Sequence, residues 1–158
     1  APMSAKNATL TFMVGSTKKE FDKILPILEI LGKKIHHIGE FGSGMSVKVL
    51  NNFVASCSVV AVRHVLSEAK NLNITTKQLL NVLNCSSGQT WFSENLDNID
   101  WAKESYTQNN TIAILEKDVK SYLDGLANSK NKTNSAMVNF QNALIKGLQN
   151  IPKYPNDD

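Results

Sequence analysis

The segment from about Met45 to Asn71 constrains the fold most, because it contains neither proline nor glycine. Its apolar residues recur at helical spacing, and those that map to one side of a helix are Val47, Leu50, Val54, Cys57, Ala61, Val65 and Ala69. A helix of this length extends about 40 Å at the standard rise per residue. Further apolar residues lie elsewhere on it, at Val59, Val60 and Val62. We therefore expect other helices to surround this long helix.

The residues before the long helix predict a strand, a helix and a second strand. Residues 9–14 alternate in apolar character and are rich in residues that favour strands. Thr17, followed three residues later by Glu20, is typical of a capping box at the start of a helix. Pro26 lies within that helix and predicts a kink or a later start. The second strand is predicted over Lys34–Ile38.

The residues after the long helix predict more helices, separated by short breaks. Thr75 or Thr76 caps the first of them, and the Ser-Ser-Gly run at 86–88 ends it. A short amphipathic piece follows, and two longer helices run over residues 111–126 and 133–148. The residues that we expect to point inward from the last helix are Met137, Phe140, Leu144 and Leu148. The predicted fold class is mainly α, an all-helical body preceded by a small strand–helix–strand piece.

The charge balance argues against nucleic acid and anionic membranes as partners. The 17 basic and 14 acidic residues leave a net charge of only +3, and Arg63 is the single arginine. No continuous apolar run approaches the roughly 18 residues that span a bilayer, so we expect no membrane partner. Cys57 and Cys85 lack the spacing of a metal site, which favours reduced thiols in an intracellular compartment, the cytoplasm first and mitochondria as the alternative.

The histidines do not predict a metal site. His36 and His37 are adjacent on a predicted strand, so their side chains point to opposite faces and cannot hold one ion together. His64 lies one helical turn before Glu68, which indicates a surface pair rather than a catalytic base. We therefore expect no bound metal.

Chemically useful side chains are concentrated in residues 42–52, Gly-Ser-Gly-Met-Ser-Val-Lys-Val-Leu-Asn-Asn. Lys48, Asn51 and Asn52 stand at positions i, i+3 and i+4, so they project from one flank of the long helix. A desolvated lysine can exchange a proton near neutral pH, and asparagines beside it can hold a hydroxyl and a carboxylate. From the pattern alone, the alternative is a solvated polar stripe on a core helix.

This segment resembles the G-x-G-x-x-x-K-x-x-N-N signature of the β-hydroxyacid dehydrogenase family, which includes 3-hydroxyisobutyrate and threonate-type dehydrogenases. Other segments are similar to motifs of that family and keep their order, namely Ala1–Ser4, Leu10–Gly15, Asn84–Trp91 and Lys117–Asp118. The resemblance covers the chain from residue 1 to about residue 126. The run Trp91–Asn95 is similar to the W-x-x-E-N run of threonate-type enzymes, so the resemblance implies a small hydroxy acid as the substrate.

The resemblance implies a role for each of several side chains. Lys48 would be the acid/base, taking the hydroxyl proton while a hydride leaves for the nicotinamide. Asn51 and Asn52 would orient the substrate. Ser4 would contact the substrate carboxylate, and Trp91 would line the substrate pocket.

The resemblance also implies a nicotinamide cofactor, NAD or NADP, toward which Lys117 would reach. The glycine fingerprint G-x-G-x-x-G that holds a dinucleotide is missing from the sequence. Where the family has two glycines after the serine, the chain has Ala5-Lys6. In the family the two glycines let backbone N–H groups approach the substrate carboxylate, so their loss concerns substrate binding. The missing fingerprint means that the dinucleotide-binding part of the domain is not among these residues.

We interpret the chain as the C-terminal portion of such a dehydrogenase. The predicted organisation is the end of an NAD(P)-binding domain over residues 1–41, an all-helical substrate and dimerisation domain over 42–151, and a tail over 152–158. The long apolar helix and the partial sheet predict a homodimer. The alternative function is that of a non-catalytic truncated relative, which acts as a helical dimerisation module.

Overall fold

The computed structural model describes residues 5–127 and 135–155, most of which are helical. In chain order the elements are β1 (Leu10–Gly15), α1 (Lys18–Leu31), β2 (Gly32–Gly39), α2 (Ser43–Asn71), α3 (Thr76–Leu83), α4 (Trp91–Glu94), a 3₁₀ turn (Leu96–Asn98), α5 (Thr111–Ala127) and α6 (Ser135–Gln149). The prediction of a mainly helical chain that starts as strand–helix–strand is confirmed. The chain divides into two compact units, 1–51 and 52–158, and the division falls inside α2.

In the first unit, β1 and β2 pair in parallel as a two-stranded sheet and α1 connects them. The predicted capping box is present at the start of α1. The Thr17 amide donates to Oε2 of Glu20 at 3.0 Å, and the Glu20 amide donates to Oγ1 of Thr17 at 3.3 Å. Because this box fixes the first turn, α1 begins at Lys18 and continues through Pro26. The predicted later start of this helix is therefore wrong.

Two glycines let the start of α2 lie against the end of β1. A Cβ atom on Gly44 would lie 2.2 Å from the carbonyl oxygen of Met13, and one on Gly15 would lie 2.7 Å from the carbonyl oxygen of Glu40. Because the neighbouring atoms belong to the backbone, a side chain at either position would displace the chain. The first turn of α2 is thus fixed at the carboxyl end of the strand.

The second unit is a helical core built on one face of α2. Its buried apolar residues include Val59, Val62, Leu66, Phe92, Leu96, Ile112, Val119, Leu144 and Leu148. Helix α6 crosses α2 closely at Gly147, where a Cβ atom would lie 2.7 Å from Cγ1 of Val60. Beyond the end of α2, Asn73 adopts a left-handed conformation, and the Ile74 amide donates to the Ala69 carbonyl at 2.9 Å. This is a common way to close the carboxyl end of a helix.

The buried face of α2 differs from the one that the sequence pattern predicts. Val54 is 67% exposed and Val65 is 43% exposed, whereas Ser56 and Arg63 are fully buried. Oγ of Ser56 and the two Nη atoms of Arg63 donate hydrogen bonds to backbone carbonyls, whereas Nε of Arg63 is buried without a hydrogen-bond partner among the described residues. Within the described part of the chain, an apolar side of α2 therefore stays open, and the expected cover on all sides is not found.

Arg63 joins three segments of the second unit. Its Nη1 donates to the carbonyl oxygens of Ala102 at 2.7 Å and Glu104 at 2.8 Å, and its Nη2 donates to the carbonyl oxygen of Pro152. The guanidinium also lies 5.8 Å from the centre of the Tyr154 ring. Burial lowers the pKa of the Arg63 guanidinium, while Tyr154 opposes that shift. The arginine thereby holds a loop and the C-terminal segment against α2.

By length and composition, α2 is also long and apolar enough to cross a membrane, and it is the one such helix among the described residues. The core helices of soluble proteins pass the same test, so this is weak evidence for a membrane span. Val59 and Leu66, each 1% exposed, place part of the apolar surface of α2 in the helical core.

Candidate active site

Helix α2 carries the lysine and the two asparagines that the sequence singles out. Lys48 and Asn51 are exposed, and Asn52 is partly buried. The unbroken helix keeps the three residues three and four positions apart, on one flank. Lys48 and Asn51 belong to the first compact unit and Asn52 to the second. The helix predicted at these positions is present, and the chemical roles of the three residues stay predictions.

A buried carboxylate on α5 holds the side chain of Asn52. Nδ2 of Asn52 donates to Oδ2 of Asp118 at 2.5 Å, and Asp118 is only 7% exposed. The backbone carbonyl of the same asparagine accepts a hydrogen bond from Oγ of Ser56 at 2.7 Å. Both the side chain and the backbone of Asn52 are thus fixed by neighbours in the second unit.

A second buried carboxylate, Glu116, anchors α5. It accepts hydrogen bonds from the Tyr106 hydroxyl at 2.5 Å and from Nε2 of Gln149 at 2.8 Å, and its Oε1 lies 2.5 Å from Nζ of Lys120. Burial alone would raise the pKa of Glu116. The hydrogen bonds from Lys120, Tyr106 and Gln149, together with the charge of Lys120, outweigh burial and lower that pKa. The hydrogen bond to Glu116 raises the pKa of Tyr106 in turn.

This network predicts that stability depends on the ionisation of Glu116. A carboxyl whose pKa is lower in the folded state stabilises the fold above its unfolded pKa of about 4.3, and this contribution is lost as the pH falls through the folded pKa. Glu116→Gln removes the charge, so we expect the variant to be about 1–3 kcal/mol less stable at pH 7. The difference should shrink as the pH falls below about 4. Urea unfolding of both proteins across this range measures it, and two parallel stability profiles would contradict the prediction.

The remaining predicted site residues lie at separate places in the chain. Lys117 is exposed on α5, between the two buried carboxylates. Trp91 is the first residue of α4 and its side chain is 57% exposed. Ser4 lies outside the described residues. None of these placements tests the role that the resemblance implies, and each role stays a prediction.

The strand–helix turn after β1 does not fit the phosphates of a dinucleotide. The space beside Gly15 is filled by the backbone of Glu40 and Gly44, and the Glu20 amide is already bonded to Thr17. An open cradle of backbone amides is what such phosphates need. Lys117 is an exposed cation, and its role toward a cofactor stays a prediction. Among the described residues, no group of three or more His, Cys, Asp or Glu side chains could hold a metal ion.

The sequence analysis missed the parts that Asp118 and Glu116 play. Both are acidic residues beside the apolar Leu115 and Val119 of one predicted helix. Buried carboxylates need hydrogen-bond partners, so acidic residues beside an apolar helix face could have indicated a buried polar network. Their partners are far away in the sequence, and no helical pattern could have named them.

Two family descriptions match the chain. Residues 42–147 match a family described as "NAD-binding of NADP-dependent 3-hydroxyisobutyrate dehydrogenase". Residues 1–39 match a family described as "NAD binding domain of 6-phosphogluconate dehydrogenase". The first match covers more than half of the chain and includes the helix with Lys48 and Asn52.

Several curated proteins are similar in sequence. A mitochondrial 3-hydroxyisobutyrate dehydrogenase of Drosophila melanogaster is 31% identical over 156 residues, which cover 92% of the chain and 48% of that protein. A probable mitochondrial 3-hydroxyisobutyrate dehydrogenase of Dictyostelium discoideum is 42% identical over 94 residues, 57% of the chain and 28% of that protein. The chain thus spans at most about half the length of these relatives.

Solved structures share the fold. A 3-hydroxyisobutyrate dehydrogenase of Mycobacterium tuberculosis with L-serine superposes with a TM-score of 0.75 at 23% identity, covering 96% of the chain and 54% of that structure. A protein described as Psf3 in complex with NADP+ and 2-OPP superposes with a TM-score of 0.72 at 16% identity, covering 98% of the chain and 53% of that structure.

Proposed function

The chain belongs to the β-hydroxyacid dehydrogenase family, and from that premise we propose that it supplies the acid/base and substrate-orienting residues of an NAD(P)-dependent dehydrogenase for a small hydroxy acid. The observation that carries the proposal is the lysine–asparagine set on α2 within the matched region. The alternative, a solvated polar stripe on a core helix, does not account for the buried Asp118 that holds the side chain of Asn52.

In the proposed reaction the residues of this chain act on the substrate hydroxyl. Lys48 takes the hydroxyl proton while the carbon–hydrogen bond breaks, and the carbonyl product forms. A bound nicotinamide cofactor would supply the acceptor for the hydride of that carbon. Asn52, with Asn51 beside it, orients the hydroxyl, and Ser4 contacts the substrate carboxylate. In the reverse direction the Lys48 ammonium returns the proton to the alkoxide oxygen.

The descriptions of the relatives support a proposed substrate class and a proposed location for the protein. Two of them are described as 3-hydroxyisobutyrate dehydrogenases and as mitochondrial, and one from Eubacterium barkeri is described as a 2-(hydroxymethyl)glutarate dehydrogenase. We therefore propose a 3-hydroxy acid as the substrate and favour the mitochondrial alternative over the cytoplasm. NAD and NADP both stay open.

The test is an assay of NAD(P)H formation by the natural protein at its full length. 3-Hydroxyisobutyrate and threonate are compared as substrates, with isobutyrate, which has no hydroxyl, as the matched control. We expect turnover with at least one hydroxy acid and none with isobutyrate. Absence of turnover with both cofactors, together with an intact mass near 17.4 kDa, would favour the non-catalytic helical module instead.

We also propose that a second copy of the chain covers the open apolar side of α2. Leu50 is 49% exposed and Val54 is 67% exposed, so two large apolar side chains one helical turn apart stay accessible on one face of α2. A charge on this side, as in Val54→Glu, should raise the dissociation constant of the dimer at least tenfold. Sedimentation equilibrium measures this, with Val65→Thr as a milder comparison. A wild-type chain that stays monomeric at high concentration would contradict the proposal.

A further inference from the structure

A cavity of about 420 Å³ lies in the second unit, where α3, α4, the 3₁₀ turn and the C-terminal segment meet. We call it the α3–α4 cavity. Cavities of several hundred Å³ are large enough for small organic molecules. The lining includes Lys77, Leu80, Asn81, Glu94, Leu96 and Tyr154. It thus combines charged, amide and apolar side chains.

Contacts between its walls hold the α3–α4 cavity in shape. Nδ2 of Asn84, at the end of α3, donates to the carbonyl oxygen of Ser93 on α4 at 3.2 Å. The Tyr154 ring contacts two cations, the Arg63 guanidinium at 5.8 Å and Nζ of Lys103 at 4.9 Å from its centre. Because these contacts need no ligand, the cavity is preformed, and a ligand can bind without the cost of ordering the walls.

Two opposite charges line the cavity without pairing. Lys77 and Glu94 are exposed, and within the described ranges neither of them forms an ion pair. Asp97, which also lines the cavity, pairs with Lys103 at 3.1 Å. Lys77 lies in the first turn of α3, where the peptide dipoles also favour an anion. The α3 wall can therefore take a negative group of a ligand, and the α4 wall a positive group.

The cavity also has an apolar part. Leu80 follows Lys77 by three positions, so both lie on the same face of α3, and Leu80 packs against the helical core. Leu96 is 2% exposed and belongs to that core. Asn81 adds an amide that can donate and accept hydrogen bonds. The lining therefore fits a ligand that has an anionic group, a cationic group and a small apolar part.

The α3–α4 cavity differs from the proposed substrate site. Its lining includes neither Asn52 nor Trp91, the residues of the second unit to which substrate contacts are assigned above. Arg63, which contacts Tyr154 in the cavity wall, follows Asn52 by about 16 Å along the axis of α2 at the helical rise per residue. A ligand in this cavity is therefore additional to the substrate.

We propose that the α3–α4 cavity binds a small zwitterion of the α-amino acid class. The carboxylate of this ligand pairs with Lys77, its ammonium group pairs with Glu94, and its apolar side chain packs on Leu80 and Leu96. Hydrogen bonds between charged groups are stronger than neutral ones, so both charges of the ligand contribute to binding. The proposal does not rest on the proposed function, because no residue of the lysine–asparagine set takes part.

Titration of the full-length protein with L-leucine and two analogues tests this site. 4-Methylpentanoate lacks the ammonium group of leucine, and isopentylamine lacks its carboxylate. The methyl signals of Leu80 in NMR spectra report on this cavity. We expect leucine to move these signals and to bind at least about tenfold more tightly than either analogue, since each analogue loses one charge-assisted hydrogen bond.

Single substitutions of the two exposed charges test which wall holds which group. Lys77→Met should weaken leucine binding about tenfold and leave isopentylamine binding unchanged. Glu94→Gln should weaken leucine binding to the same degree and leave 4-methylpentanoate binding unchanged. Lys70→Met and Glu68→Gln remove the same types of exposed charge from the end of α2, outside the lining, and should leave leucine binding as in wild type.

Three results would overturn the proposal. The Leu80 signals could stay in place up to the solubility limit of leucine, either analogue could bind as tightly as leucine, or the α2 variants could weaken binding as much as the cavity variants. In Lys48→Ala the Leu80 signals should respond to leucine as in wild type. A protein that binds leucine here but shows no turnover therefore keeps this site, while the dehydrogenase proposal fails.

Discussion

Replacing Lys48 by alanine is expected to lower kcat for hydride transfer by about 10²–10⁴-fold, the usual contribution of a positioned acid/base. The reason is that the hydroxyl proton then has no acceptor in the transition state. The substrate dissociation constant should change far less, because the groups proposed to bind the substrate are retained. Steady-state rates with the preferred hydroxy acid, measured in parallel with substrate binding, test this.

A suitable control for Lys48→Ala is Lys70→Ala, which removes an exposed lysine from the last turn of the same helix. It should keep wild-type rates. Small primary amines added to Lys48→Ala should restore part of the lost rate, which a purely structural lysine would not allow. A Lys48→Ala rate within threefold of wild type would contradict the assignment of the acid/base.

Replacing Arg63 by methionine is expected to cost about 3–5 kcal/mol of unfolding free energy, a large share of the usual 5–15 kcal/mol. Methionine fills a similar volume, but it leaves the carbonyl oxygens of Ala102, Glu104 and Pro152 without their charged donor. Buried acceptors without a hydrogen bond are costly because they have lost their hydrogen bonds to water and have gained none within the protein. Urea unfolding followed by circular dichroism measures the loss.

Lys103→Met provides the matched comparison for Arg63. Lys103 also lies over the Tyr154 ring, at 4.9 Å from its centre, and pairs with Asp97, but its side chain is 53% exposed. An exposed pair of this kind is worth less than about 1 kcal/mol, so Lys103→Met should be nearly neutral. Similar losses in the two variants would show that the contact with Tyr154, and not the carbonyl oxygens, accounts for the effect of Arg63.

Local features of this fold were predictable because their causes lie within a few residues. The capping box of Thr17 and Glu20 needs only a three-residue spacing, and Thr75 caps α3 in the same way with Gln78. The lysine–asparagine spacing on α2 is likewise a local property of one helix. These elements could be placed within two or three residues of their actual bounds.

Which side of a helix is buried was less predictable, because partners far away in the sequence decide it. On α6 the pattern predicted that Phe140 points inward, yet Phe140 is 48% exposed and the neighbouring Gln141 is fully buried. On α2, Arg63 occupies a core position because carbonyl oxygens from two distant segments meet it there. The Asn52–Asp118 pair, 66 residues apart, could not be inferred from either helix alone.

The hydrogen bond from Arg63 to a residue much later in the sequence affects the folding of the protein during its synthesis. The partner residue Pro152 follows 89 residues later in the chain, so the buried cation cannot be fully satisfied until that residue has left the ribosome. Until then the helical core contains a charge without its full set of acceptors, and the nascent chain is exposed to chaperones and proteases. Completion of this unit is thus tied to the synthesis of the segment that contains Pro152, and a chain that stops before this residue should be degraded by the cell.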